Sequence, residues 1–68
     1  MTFTVDYEQE EDGRWIAEVL ELPGVMVYGA AREEALAKAQ ALALRVVAEC
    51  LDHGEMPAGR TNILFPPA

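Results

Sequence analysis

The chain has 68 residues, a formal net charge of −7 from 12 acidic and 5 basic side chains, and a single cysteine, Cys50. A chain this short predicts one domain, residues 1–68, and one cysteine excludes an intrachain disulfide. Its acidity argues against direct nucleic-acid binding, because phosphate backbones repel a negative surface.

Alternation of apolar and polar residues predicts two strands at the start of the chain. Thr2 to Tyr7 is the first and Arg14 to Leu20 is the second. Asp12-Gly13 between them is a hairpin signal, so the two strands should pair antiparallel. A turn at Pro23-Gly24 then introduces a third short strand from Val25 to Tyr28.

A long helix should follow, from about Arg32 to about His53, because alanine and leucine dominate this stretch. Gly54 suits the left-handed position just past the helix end. The residues that recur at helical spacing predict the stripe facing the core: Leu36, Ala39, Ala43, Val46, Val47 and Cys50. Asn62 to Phe65 reads as a fourth strand, parallel to the first through a right-handed crossover.

The predicted fold is therefore α+β, in the order β-β-β-α-β, with one long helix on one face of the sheet. Alternation assigns these residues to the covered face: Phe3, Val5, Tyr7, Trp15, Ala17 and Val19. The other face should carry Ile16, Leu20, Met26 and Tyr28. An exposed apolar patch of this kind marks an interface, and a core this small gains from association, so we expect a homodimer or homotetramer.

The residues suggest no catalytic, cofactor or metal site. Asp6 and Glu18 share one face, as carboxylates of a two-metal nuclease would, but a third converging carboxylate is missing. His53 lies four residues after Glu49 and suits a helix C-terminus, and Cys50 reads as a core thiol. No signal peptide or membrane span is recognisable, so we expect a cytoplasmic protein without membrane contact.

The order and spacing of several short motifs resemble the HicB-type antitoxins. These are Asp12-Gly13-Arg14-Trp15, Glu21-Leu22-Pro23-Gly24, Gly29, Glu33-Glu34-Ala35-Leu36 and Gly54-Glu55-Met56-Pro57. The resemblance implies a partial ribonuclease-H-like fold and a non-enzymatic role in binding and neutralising a basic, mRNA-cleaving toxin of the HicA type. The chain departs from the family at Ala30-Ala31, where Asp-Thr is common, and so lacks a side-chain helix cap.

Such antitoxins often carry a separate DNA-binding segment, and this chain leaves no room for one, which argues against transcriptional repression. Its charge of −7 and its scattered basic residues predict that it does not bind DNA alone. A basic toxin would be attracted by the acids of the first hairpin, Glu8, Glu10, Glu11 and Asp12. The same acids also suit a plain solvated turn. Two other readings stay open: an assembly or binding module of the same fold without a toxin partner, and a degenerate metal-dependent nuclease.

Overall fold

The computed structural model describes residues 1–56, 59 and 62–66. In this part of the chain three strands form one antiparallel sheet in the order β1-β2-β3, and one long helix packs on it. The strands are β1 (Val5–Gln9), β2 (Trp15–Val19) and β3 (Met26–Gly29), and the helix is α1 (Arg32–Asp52). The predicted α+β arrangement of a three-stranded antiparallel sheet and one helix is confirmed.

The first hairpin is set by the chemistry of its turn. Gly13 has a φ of +91°, a left-handed conformation that glycine adopts without steric cost. The Asp12 carboxylate accepts hydrogen bonds from the Arg14 backbone N–H at 3.0 Å and from its Nε at 2.7 Å. This closes the turn and fixes the β1–β2 register, in which Val5 lies opposite Val19 and Gln9 opposite Trp15.

The second turn works in the same way. Gly24 has a φ of +87°, and the Val25 N–H donates to the Leu22 carbonyl at 3.1 Å. The chain thus reverses after β2, and Glu18 lies opposite Met26 in the β2–β3 ladder. Both glycines stand where the sequence predicted turns.

The join between β3 and α1 depends on close approach of two backbones. A Cβ added at Gly29 would lie 2.6 Å from the Ala35 backbone nitrogen and 2.9 Å from its Cα. Only glycine therefore lets the first turn of α1 rest against the end of β3. Along the rest of α1 the buried residues are small, namely Ala35, Ala39, Ala43 and Val47, so the helix stays close to the sheet.

Both ends of α1 lie within one residue of the positions that the sequence predicted. Ala31 occupies the N-cap position without a side-chain hydrogen bond, while Glu34 accepts a bond from the Ala30 N–H at 3.4 Å. At the other end Gly54 has a φ of +70°. The N–H of Glu55 donates to the Cys50 carbonyl, and that of Gly54 to the Leu51 carbonyl, which is a Schellman arrangement.

The core lies between α1 and the sheet face predicted to be covered. Phe3, Ala17, Val19 and Val25 are buried, and Val5, Tyr7 and Trp15 pack partly buried beside them. The helix stripe needs a correction: Ala35 belongs to the core, whereas Leu36 and Cys50 are only half-buried. Val46 packs partly buried against the core, as predicted. Ala35 is enclosed because it sits against Gly29, a contact that helical periodicity alone does not reveal.

The fourth strand predicted over Asn62 to Phe65 is not formed. The segment makes a single parallel bridge between Thr2 and Leu64, with the Phe3 N–H donating to the Leu64 carbonyl at 2.9 Å. Phe65 packs against Phe3 with ring centroids 5.6 Å apart. Pro66 follows at once and offers no N–H, so the ladder cannot continue. The Thr4 N–H donates to the Glu21 carboxylate instead of to a backbone carbonyl, and β1 starts at Val5, later than predicted.

Within the described residues, no helix combines the length and apolarity needed to cross a membrane.

Candidate functional site

The sheet face turned away from α1 is the most distinctive surface of the described chain, and we call it the open face. Strand register arranges its side chains in two rows across the sheet. Asp6, Glu18 and Met26 form one row, and Glu8, Ile16 and Tyr28 form the other. Leu20 follows β2 at the end of this face, where its N–H donates to the Thr4 carbonyl at 3.0 Å. The open face therefore mixes carboxylates with large apolar groups.

The apolar side chains predicted for this face are exposed to different degrees. Leu20, Met26 and Tyr28 are 52%, 50% and 42% exposed, whereas Ile16 is half-buried between its neighbours. The structure thus places all four where alternation predicted. Large apolar groups left in water are typical of contact surfaces.

A shallow depression of about 170 Å³ lies in the middle of the open face. Its lining includes Asp6, Glu8, Ile16, Glu18 and Met26. Pockets that enclose a small-molecule ligand usually measure about 300 to 1,000 Å³. The depression therefore suits a protruding side chain of a protein better than a cofactor or nucleotide.

The carboxylates of the open face have no counter-charge among the described residues. The ion pairs in this part of the chain join Arg14 to Asp12 and Lys38 to Glu34, and neither includes Asp6, Glu8 or Glu18. His53 lies near Glu49 instead. Asp6 and Glu18 lie directly opposite each other, and like charges in that arrangement destabilise a sheet. A cation brought by a partner would relieve this repulsion.

Arg14 borders the open face but is already engaged. Its guanidinium lies 4.5 Å from the centroid of the Tyr28 ring and also pairs with Asp12. Both contacts hold the cation at the hairpin end of the sheet. The carboxylate rows further along the strands stay negative.

The structure separates the four hairpin acids that the sequence grouped together. Glu8 lies within β1, on the open face beside Ile16. Asp12 belongs to the turn, where the backbone N–H and guanidinium of Arg14 hold the pKa of its carboxyl below the ordinary value of 3.8. Glu10 and Glu11 line an open hollow with Asp12 and Arg14 at the hairpin tip. Only Glu8 therefore joins the surface formed by Asp6 and Glu18.

The other candidate groups remain apart from the open face. His53 Nδ1 lies 3.4 Å from Glu49 Oε2 at the exposed end of α1. Cys50 is half-buried rather than enclosed, which corrects its assignment as a core thiol. Trp15 packs edge-on against Tyr7 with centroids 6.4 Å apart. The described residues contain no cluster of three or more His, Cys, Asp or Glu able to hold a metal ion.

Glu21 has a structural role that sequence reasoning missed. Its Oε1 accepts a hydrogen bond from the Thr4 N–H at 2.7 Å, which ties the chain after β2 to the residue before β1. This bond keeps the pKa of the Glu21 carboxyl below its ordinary value of 4.5. Glu21 precedes Leu-Pro-Gly, so its place beside a predicted turn was the available signal.

No protein-family model, curated protein or solved structure matches this chain.

Proposed function

We propose that this chain is a non-enzymatic binding domain that neutralises a small basic ribonuclease of the HicA type. The observation that carries the proposal is the open face, where Asp6, Glu8 and Glu18 surround the half-buried Ile16 and form no ion pair with any residue that the structure describes. A lysine or arginine of a basic partner would find carboxylate partners there, and the exposed Met26 and Leu20 would supply apolar contact. Buried apolar centres with charged surroundings are typical of protein interfaces.

The motif order that resembles HicB-type antitoxins supports the choice of partner. The resemblance implies the order β-β-β-α-β, of which the three-stranded antiparallel sheet and the single helix are present and the fourth strand is not shown. The net charge of −7 favours a basic protein over a nucleic acid as the partner. Three of the five basic side chains give the same indication. Arg14 pairs with Asp12, Lys38 pairs with Glu34, and Arg32 donates to the Tyr7 hydroxyl, so these three cations do not cluster.

The proposal expects a reading frame beside this chain's gene to encode a small basic protein, and that protein is the probe. The two proteins are co-expressed, and binding is measured by size-exclusion chromatography and surface plasmon resonance. Cleavage of an mRNA substrate by the basic protein is then followed with and without this chain. We expect a stable complex and loss of cleavage at equimolar ratio.

A charge-matched pair of variants assigns the binding surface. The open-face variant carries Asp6→Asn, Glu8→Gln and Glu18→Gln. The control carries Glu33→Gln, Glu49→Gln and Asp52→Asn on α1. Both lose three acids, so long-range attraction falls equally, but only the open-face variant should dissociate about tenfold faster or more. It should also fail to block cleavage at concentrations where the control still does.

Equal effects of the two variants on dissociation would show that only net charge matters and would remove the open face from the proposal. If the wild-type chain binds no neighbouring basic protein, the antitoxin role fails. An assembly module of the same fold is then the better account.

A further inference from the structure

The free edge of β3 is the second unusual surface of the molecule. The Val19 N–H donates to the Val25 carbonyl at 3.0 Å. This bond shows which residues of β3 direct their backbone groups towards β2. Backbone groups along an antiparallel strand bond alternately to one side and the other. Val27 therefore bonds to β2, while Met26 and Tyr28 direct their backbone groups to the outer side of β3.

These outward groups are unpaired within the described residues. Tyr28 makes no backbone hydrogen bond outside the sheet ladder, and the Met26 carbonyl accepts none, although the Met26 N–H donates to the Gly24 carbonyl at 3.1 Å. One donor and two acceptors thus face solvent along four residues of strand. Exposed strand edges are templates for pairing with another strand.

The two edges of the sheet differ in their protection. On the β1 side the Phe3 N–H pairs with Leu64, and Asp6 and Glu8 place charges along the strand. On the β3 side the sequence Met-Val-Tyr-Gly contains no charge, no proline and no bulge. Proteins usually guard an edge with such features or with a short strand. β3 is short, at four residues, but has none of the other protections, so its edge is the one available for pairing.

We propose that a second copy of this chain pairs antiparallel along β3, so that two sheets join into one of six strands. With Val27 on the two-fold axis, the Tyr28 N–H of each copy donates to the Met26 carbonyl of the other. The strand is self-complementary in this register, as an isologous interface requires.

Charge favours this arrangement over packing through the open face. Two open faces in contact would bring Asp6, Glu8 and Glu18 of one copy against the same acids of the other. Pairing of the two β3 strands brings no charged side chains into contact, because β3 contains none. We call this pairing of two β3 strands the β3 seam. The Arg14 guanidinium lies 4.5 Å from the centroid of the Tyr28 ring, and Arg14 directly precedes β2, the strand on the inner side of β3.

The core also explains why association would be useful. Its largest fully buried side chains are only Val19 and Val25, and its helix contributes mainly alanines. Small domains with so little buried volume commonly depend on association for stability. Edge pairing also leaves both open faces free and on the same side of the joined sheet, so it is compatible with partner binding.

The first test is sedimentation of the full chain from about 1 to about 500 μM, a range in which mass action converts a weak dimer from monomer to dimer. We expect the wild-type chain to become dimeric. Tyr28→Pro removes the outward N–H together with the ring that contacts Arg14, and should stay monomeric. Tyr28→Ala removes the ring but keeps the N–H, and should dimerise like the wild type. Leu20→Lys places a charge on the open face, away from the seam, and should dimerise like the wild type.

The second test is hydrogen exchange of single amides in the wild-type chain, which does not depend on any variant folding. The Tyr28 amide should exchange at least about tenfold more slowly at the high concentration than at the low one. The Val27 amide, which bonds to β2, should be protected at both concentrations. The Tyr7 amide on the outer side of β1 should be unprotected at both.

Three results would overturn the proposal. The first is a chain that stays monomeric throughout the range with a fast-exchanging Tyr28 amide, which would leave the edge to some other strand. The second is a dimer that Leu20→Lys dissociates and Tyr28→Pro does not, which would locate the contact on the open face. The third is a dimer in which the Tyr28 amide gains no protection. If Tyr28→Pro fails to fold by circular dichroism, the exchange measurement decides.

Discussion

Replacing Gly29 with alanine should destabilise the protein by forcing α1 away from β3. The added Cβ would lie 2.6 Å from the Ala35 nitrogen, 2.9 Å from its Cα and 3.1 Å from its Cβ. The two shortest distances are to backbone atoms, which cannot rotate away. Gly29 is not among the glycines with positive φ, so the backbone conformation itself would accept alanine.

Two opposing effects set the magnitude. Alanine restricts the unfolded chain and would by itself stabilise by about 0.4 to 1 kcal/mol. Overpacking a rigid contact costs about 1 to 3 kcal/mol, and here the whole first turn of α1 must move. We therefore expect a net loss of about 1 to 2 kcal/mol, which lowers the Tm of so small a domain by about 4 to 16 °C.

Urea unfolding followed by circular dichroism, at one fixed protein concentration, measures this loss as a lower midpoint with an unchanged m-value. Gly13→Ala is the comparison, because its Cβ meets nothing within 4 Å and only the positive φ is strained. The double variant Gly29→Ala with Ala35→Gly should not recover stability, since the clash is with backbone. Recovery, or a Gly29→Ala chain as stable as the wild type, would refute the reasoning.

Three further predictions concern the acids and the helix start. Glu21→Gln should lower the free energy of unfolding at neutral pH and make it fall less steeply in acid. The lowered pKa of Glu21 stabilises the fold above pH 4.5, and this contribution is lost as the pH falls through that lowered pKa. Urea midpoints from pH 3 to pH 7 measure the difference, and parallel acid profiles of variant and wild type would contradict it. Ala31→Ser should raise the free energy of unfolding by about 1 kcal/mol, because Ala31 has the extended N-cap conformation and lies three residues before Glu34. Thermal unfolding checks this. No gain would show that Glu34 already provides the hydrogen bonds needed at the start of α1. The third change replaces the four hairpin acids with neutral amides, at Glu8, Glu10, Glu11 and Asp12. This variant should associate more slowly with a basic partner and with a weaker salt dependence, as stopped-flow mixing would show. An unchanged association rate would mean that these acids only keep the turn solvated.

The open-face acids and the hairpin-tip acids should differ in kinetics. Glu10 and Glu11 lie at the hairpin tip, outside the two rows of the open face, so their loss should affect mainly the association rate. Glu8 belongs to both groups, so the quadruple hairpin variant should also dissociate somewhat faster. Restoring Glu8 alone in that variant separates the two effects.

The sequence by itself determined the local structure, because each element carries its own signals. Glycines at positions 13, 24 and 54 adopt the positive φ values that their turns and helix end predicted. The alternation of apolar and polar residues predicted which side chains of β1 and β2 face α1. This prediction does not need the exact strand pairing, because any register that buries the apolar face gives the same assignment. The position of Asp6 and Glu18 on the same face followed from the same rule.

The tertiary structure decided what depends on contacts between distant residues. Helical spacing could not show that Ala35 is enclosed, because that follows from the approach of α1 to Gly29. The β propensity of Asn62 to Phe65 predicted a strand, but a bridge of one residue pair is all that forms before Pro66. The contact between this last segment and Thr2 likewise decides that the β1 edge is covered and the β3 edge is open. A local sequence pattern does not predict a contact between residues so far apart in the chain.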